Sequence, residues 1–108
     1  TYAGNLARAM GGIICDTSRF DGRKYIGPTG FFHYADAPAC TWFGFAGEIA
    51  RVSGSTSCRI IPCGSDEYPS EVTRPSYSVL DSGLFLSTFG DFGRMDRDAA
   101  IAECVRWL

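Results

Sequence analysis

The stretch from residue 31 to residue 62 most constrains what this chain can fold into. Thr41 is an N-cap residue, and Trp42, Phe45, Ile49 and Val52 follow at i, i+3, i+7 and i+10. That spacing predicts one apolar face on a helix over 42–53, with Gly54 as its stop. Before the helix, residues 31–35 (FFHYA) form an aromatic run between Gly30 and Asp36. After it, residues 58–62 (CRIIP) form a short apolar run. Each reads as a strand, with Pro62 at an end where a ladder donor can be spared. Strand, helix and strand in this span match one βαβ unit, a parallel pair with a right-handed crossover. The expected fold class is α/β: a small βαβ-containing domain with a short parallel sheet and flanking helices.

The rest of the chain follows the same logic. Leu6, Ala9, Met10, Ile13 and Ile14 recur at helical spacing over 2–14. Residues 15–30 are polar and turn-rich, which predicts a surface loop. Residues 77–80 (YSVL) read as a short strand, and 82–89 as a short helix ending at Gly90. A last helix begins behind Asp96, with Asp98 in its first turn and Arg106 in its last. Its apolar stripe is Ala100, Ile101, Cys104, Val105 and Leu108. A length of 108 residues fits one domain.

Composition removes several classes of function. Ten Lys and Arg against twelve Asp and Glu give a net charge of −2. Such a chain has no built-in pull toward nucleic acid or an anionic membrane. No apolar run reaches the roughly 18 residues of a membrane span. The five cysteines (Cys15, Cys40, Cys58, Cys63, Cys104) are odd in number and irregularly spaced, so they are not a disulfide framework. They are expected as small buried hydrophobes in a reducing, cytoplasmic setting. On a strand, Cys58 and Cys63 would face opposite ways, which makes a poor metal clip. His33, the one histidine, is expected as a packed core residue. The chain contains no Gly-rich phosphate loop and no Tyr-x-x-x-Lys pair, because its one lysine, Lys24, follows Phe20 at that spacing.

The segment 64–81 (GSDEYPSEVTRPSYSVLD) stands out. It is long and rich in breakers, Pro69 and Pro75 among them, and long ordered loops tend to carry function. Arg74, Tyr68 and Tyr77 in one such loop suit an anionic, ring-bearing ligand. The plain alternative is that Arg74 and the prolines fasten the loop.

The same residues carry a resemblance. Glu67-Tyr68-Pro69-Ser70 and Arg74-Pro75-Ser76-Tyr77-Ser78-Val79-Leu80-Asp81 resemble the EYPT and RPxYSxLD runs of dTDP-4-dehydrorhamnose reductases. The helix from Thr41 to Ile49 is similar to that family's SWYEFAxEI helix. Residues 31–34 match a GxYH strand, residues 88–90 a TFG helix end, and residues 100–105 the closing ALxExL helix. The opening residues are similar to T-x-A-x-D-L-A-x-A, with Asn5 where Asp is usual. Gly44 and Phe43 replace the usual Glu and Tyr. Leu84 and Leu86 stand where charges are typical, which implies extra apolar surface.

The family is an extended branch of the short-chain dehydrogenases. The resemblance implies a substrate-binding, C-terminal domain over 1–108, with the Rossmann cofactor domain outside the chain. It implies no catalytic or cofactor residue in this segment, and NADPH or NADH for the whole protein. Arg74, Tyr77, Ser78, Trp42 and Tyr68 are the implied substrate-binding residues, although Trp42 also suits core packing at the start of an apolar stripe. The implied ligand is a nucleotide-sugar, a dTDP-linked deoxysugar. A non-catalytic regulatory relative, or another nucleotide-sugar epimerase or reductase, is the alternative. The start at Thr1 reads as a cut before the first helix of that part. A piece so cut is expected to self-associate, as a homodimer or otherwise, through apolar surface.

Overall fold

The computed structural model describes residues 1–55, 57–68 and 70–107. Pro69 in the long loop and Leu108 in the closing stripe lie outside the described residues. The chain forms two units: Thr1–Ala37 with Val79–Arg97, and Pro38–Ser78 with Asp98–Leu108.

In the first unit, helix α1 (Ala3–Cys15) lies within a residue of its expected span. Its inward face differs from the apolar stripe. Asn5 and Ala9 are buried, while Leu6, Met10 and Ile14 are exposed. The reason is the close approach permitted by small side chains. A Cβ on Gly12 would overlap the ring of Phe92. Phe92 itself sits at φ 56°, a left-handed conformation rare for an aromatic residue. The seam Asn5–Ala9–Gly12 therefore receives the turn at 90–93, and the larger side chains face outward.

The expected surface loop at 15–30 is more ordered than its composition suggests. Asp16 caps a 3-10 turn at Thr17–Arg19 by accepting from Ser18 N at 3.1 Å. Strands β1 (Phe20–Asp21) and β2 (Lys24–Tyr25) then form an antiparallel hairpin. Gly22 takes φ 59° at the first turn position, which matches the twist of a tight hairpin. The rings of Phe20 and Tyr25 pair across it at 5.4 Å.

Residues 31–35 do not form the expected strand. Their alternation survives nonetheless. Phe32 and Tyr34 turn inward, while Phe31 and His33 are exposed, so His33 is not a core residue. The Phe32 ring meets Phe89 at 4.8 Å, Tyr34 meets Phe85 at 5.0 Å, and Phe85 meets Phe89 at 5.2 Å. The guanidinium of Arg19 lies 5.0 Å over the Phe89 ring. Helix α3 (Gly83–Phe89) supplies two of these rings and ends at Gly90, as expected. Its Leu84 is exposed and Leu86 half-buried.

In the second unit, helix α2 (Trp42–Ser53) has its expected bounds and caps. Thr41 Oγ1 accepts from Gly44 N at 3.0 Å, and Gly54 takes φ 67° with its N–H on the Ala50 and Arg51 carbonyls. Its apolar face is not a core face: Trp42 and Ile49 are exposed, and Phe45 and Val52 are only half-buried. Helix α4 (Arg97–Val105) buries Ala100 and Ile101. Asp98 in its first turn pairs with Arg51. Arg106 lies just beyond the helix end and pairs with Glu103 at 3.1 Å.

Residues 58–62 and 77–80 carry no strand either. Among the described residues the β1–β2 hairpin is the one sheet, so the expected parallel pair is not formed. A strand is held by its ladder, and residues 31–35 and 58–62 belong to different units. Apolar composition alone supplies no partner. The five cysteines are all exposed rather than buried. They sit at helix ends or in irregular chain, where neighbouring side chains do not cover them.

Candidate functional site

From Ser55 onward the chain leaves α2 and runs to Ser82 with turns but no regular element among the described residues. Glu67 N donates to Gly64 O at 3.2 Å, and Ser70 Oγ donates to Val72 O at 2.8 Å. Pro75 removes a backbone donor and biases Arg74 toward an extended backbone. At the far end, Asp81 Oδ1 accepts from Gly83 N at 2.7 Å, an Asx turn that starts α3.

The five residues expected to touch ligand fall in the second unit. Trp42 opens α2, while Tyr68, Arg74, Tyr77 and Ser78 lie on the loop. Trp42 is 78% exposed, Tyr77 76% and Tyr68 61%. Trp42 is therefore not a core residue. Its ring meets Phe45 edge-to-face at 6.5 Å. Among the described residues no hydrogen bond or ion pair joins any two of the five. Arg74 is exposed and has no partner among the described residues. The arrangement offers one free guanidinium, two phenols, a hydroxyl and an indole. Those groups bind phosphate and stack on rings.

A polar centre that sequence reasoning missed lies in the first unit. Asn5 is 1% exposed. Its Nδ2 donates to Asp36 Oδ1 at 3.0 Å and to Met95 O at 3.1 Å. Its Oδ1 accepts from Met95 N at 2.9 Å and from Arg8 at 3.0 Å. The backbone N–H of Tyr2 closes the ring by donating to the other Asp36 oxygen. The available signal was an amide in register with Ala9 and Gly12, at the small-residue edge of the α1 apolar stripe.

Two titrating groups flank this unit's core. The Ser18 hydroxyl, then the Ser18 N–H and Arg19, hold the Asp16 carboxyl below its ordinary value. Burial, and then the charge of Asp36, push the Tyr34 phenol up. The Tyr34 hydroxyl is buried without a hydrogen-bond partner among the described residues. Among those residues no three His, Cys, Asp or Glu side chains converge as a metal site. No helix among them is long and apolar enough to cross a membrane.

Comparison with known proteins bears on the same segment. Over 82 residues the chain is 37% identical to a dTDP-4-dehydrorhamnose reductase of Mycolicibacterium smegmatis, covering 76% of this chain and 22% of that protein. Over 53 residues it is 36% identical to the spore coat polysaccharide biosynthesis protein SpsK of Bacillus subtilis, covering 49% of this chain and 18% of that protein. The chain thus spans about a fifth of the length of these relatives. No solved structure matches significantly. Residues 1–106 match the RmlD substrate binding domain, and the chain belongs to that family.

Proposed function

We propose that the chain is the nucleotide-sugar-binding, C-terminal part of a dTDP-4-dehydrorhamnose reductase-like oxidoreductase. In this reading it holds a dTDP-linked deoxysugar through Arg74, Tyr77, Ser78, Tyr68 and Trp42. The observation that carries the reading is Arg74, an exposed guanidinium without a partner among the described residues, inside a family-like RPSYSVLD run. A guanidinium fork matches the oxygens of a diphosphate. Tyr68, Tyr77 and Trp42 offer ring faces for the base or sugar, and Ser78 a hydroxyl. The whole protein would reduce dTDP-4-dehydro-L-rhamnose to dTDP-L-rhamnose with hydride from NADPH or NADH. A Rossmann domain of the extended short-chain dehydrogenase type would supply the cofactor loop and the catalytic Tyr-x-x-x-Lys pair. The setting would be cytoplasmic, and the chain would self-associate through its exposed apolar side chains.

Calorimetric titration with dTDP, UDP and GDP tests the binding role. The chain should prefer dTDP, and Arg74→Ala should weaken that binding about tenfold, the effect of losing one charge-assisted contact. Equal affinity of wild type and Arg74→Ala would remove Arg74 from the site. NADPH oxidation by the 108-residue chain alone would overturn the division of labour.

A further inference from the structure

Helix α1 stops at Cys15 because Asp16 leaves the helical region, at φ −76° and ψ 91°. Asp16 then caps the turn at Thr17–Arg19, where the Thr17 carbonyl accepts from Phe20 N. The chain next doubles back at Gly22 into the β1–β2 hairpin. The last turn of α1, the 3-10 turn and the hairpin tip border an open groove of about 570 Å³. Ile14, Thr17, Phe20, Gly22 and Arg23 line it, all within the first unit. That volume falls in the range of small-molecule sites, about 300–1,000 Å³.

One part of the lining is apolar. Ile14 is 65% exposed, and the Phe20 ring is held edge-to-face on Tyr25. Gly22 adds no side chain, and a Cβ there would meet no atom within 4 Å. Its φ of 59° disfavours any larger residue, so this side of the groove stays open. The other part is polar and uncommitted. Nearby, Ser18 and Arg19 both donate to Asp16, and Arg19 also lies over Phe89. Asp21 stands opposite Lys24 in the hairpin register. The Thr17 hydroxyl and the Arg23 guanidinium are exposed and have no partner among the described residues.

We propose that this groove binds a monoanionic aromatic molecule, of the aryl carboxylate class, independently of the nucleotide-sugar loop. A planar carboxylate matches the Arg23 fork, and the Thr17 hydroxyl adds a donor on the same groove. The ring of such a ligand covers Ile14 and Phe20, which water otherwise wets. A neutral ring leaves the guanidinium unpaired, and a bare phosphate leaves the apolar side wet. The Asp16 cap and the Phe20–Tyr25 pair fix the lining before binding, so little ordering opposes it. An open groove with one guanidinium holds a ligand of about a dozen non-hydrogen atoms with a Kd of about 1 mM.

Titration of the 108-residue chain with 1-naphthoate, followed by amide chemical shifts, tests this. Thr17, Gly22 and Arg23 should shift saturably. The neutral analogue 1-naphthalenemethanol, and inorganic phosphate, should each bind about tenfold more weakly or less. Arg23→Gln should weaken 1-naphthoate about tenfold and leave the fold intact, since Arg23 is exposed. Arg74→Ala should leave 1-naphthoate binding unchanged, which separates this groove from the nucleotide-sugar loop. Absence of a saturable shift at residues 17, 22 and 23 up to about 10 mM would overturn the proposal. So would equal affinity of wild type and Arg23→Gln, or of 1-naphthoate and its neutral analogue. Phosphate binding as strong as that of 1-naphthoate would reduce the groove to an ion site and overturn its aromatic specificity.

Discussion

At the scale of single residues, Tyr34 shows where the first unit is under tension. Its ring belongs in the aromatic cluster with Phe85, but its hydroxyl is buried without a partner among the described residues. A buried hydroxyl left unbonded costs about 1–3 kcal/mol. Tyr34→Phe keeps the ring and removes that loss, so it should stabilise the chain by about 1 kcal/mol, or about 4 °C in melting temperature. The pH dependence has a definite sign. A phenol raised above its ordinary value of 10.0 contributes stability below that value and loses it as pH rises through its folded pKa. The alkaline fall in stability should therefore be shallower in Tyr34→Phe. Equal melting temperatures from neutral to alkaline pH would show that the hydroxyl finds a partner. The inward placement of residue 34 was legible from the alternation in FFHYA. The missing partner was not, because it depends on Arg94 and the α3 rings arriving from elsewhere in the chain.

At the scale of elements, the local signals proved sound and the non-local ones did not. Helix α2 was legible to the residue because Thr41 and Gly54 act on their own neighbours. Thr41→Ala should cost α2 about 1 kcal/mol by freeing the Gly44 N–H. Gly54→Ala should cost about as much, since a Cβ disfavours the left-handed cap. Amide exchange confined to α2 checks both, and an unchanged first turn in Thr41→Ala would show the cap to be redundant. The hairpin at 20–25 was missed although Asp21-Gly22 marked its turn, because its strands are too short to show periodicity. Residues 31–35 and 58–62 have strand composition, but a ladder requires a partner that neither finds. The candidate site divides the same way. The RPSYSVLD run is local and was readable, whereas the Asn5 polar centre joins residues about ninety positions apart and was not.

At the scale of the whole molecule, surface area makes the argument for association. The chain exposes 8479 Å². A compact protein of 11.7 kDa exposes about 5,900 Å², and two separate compact units of half that mass about 7,100 Å². Taken separately, the two units expose at least 8479 Å² between them, more than two compact units of that mass would. Part of the excess is apolar: Met10 and Ile14 on α1, Trp42 and Phe43 on α2, and Leu84 on α3 are exposed. A net charge of −2 provides little repulsion between copies. Light scattering from about 10 µM to about 1 mM should therefore show a mass that rises with concentration. The rise should strengthen with sulfate, which favours apolar burial, and not weaken as an ion-pair interface would. Met10→Lys and Leu84→Lys place charges on two of these faces without touching a buried side chain. At least one of them should lower the apparent mass while leaving the melting temperature within about 2 °C, since surface changes of this kind shift stability by only a few tenths of a kcal/mol. A single 11.7 kDa species across the whole range would show that the exposed apolar side chains do not drive association between copies.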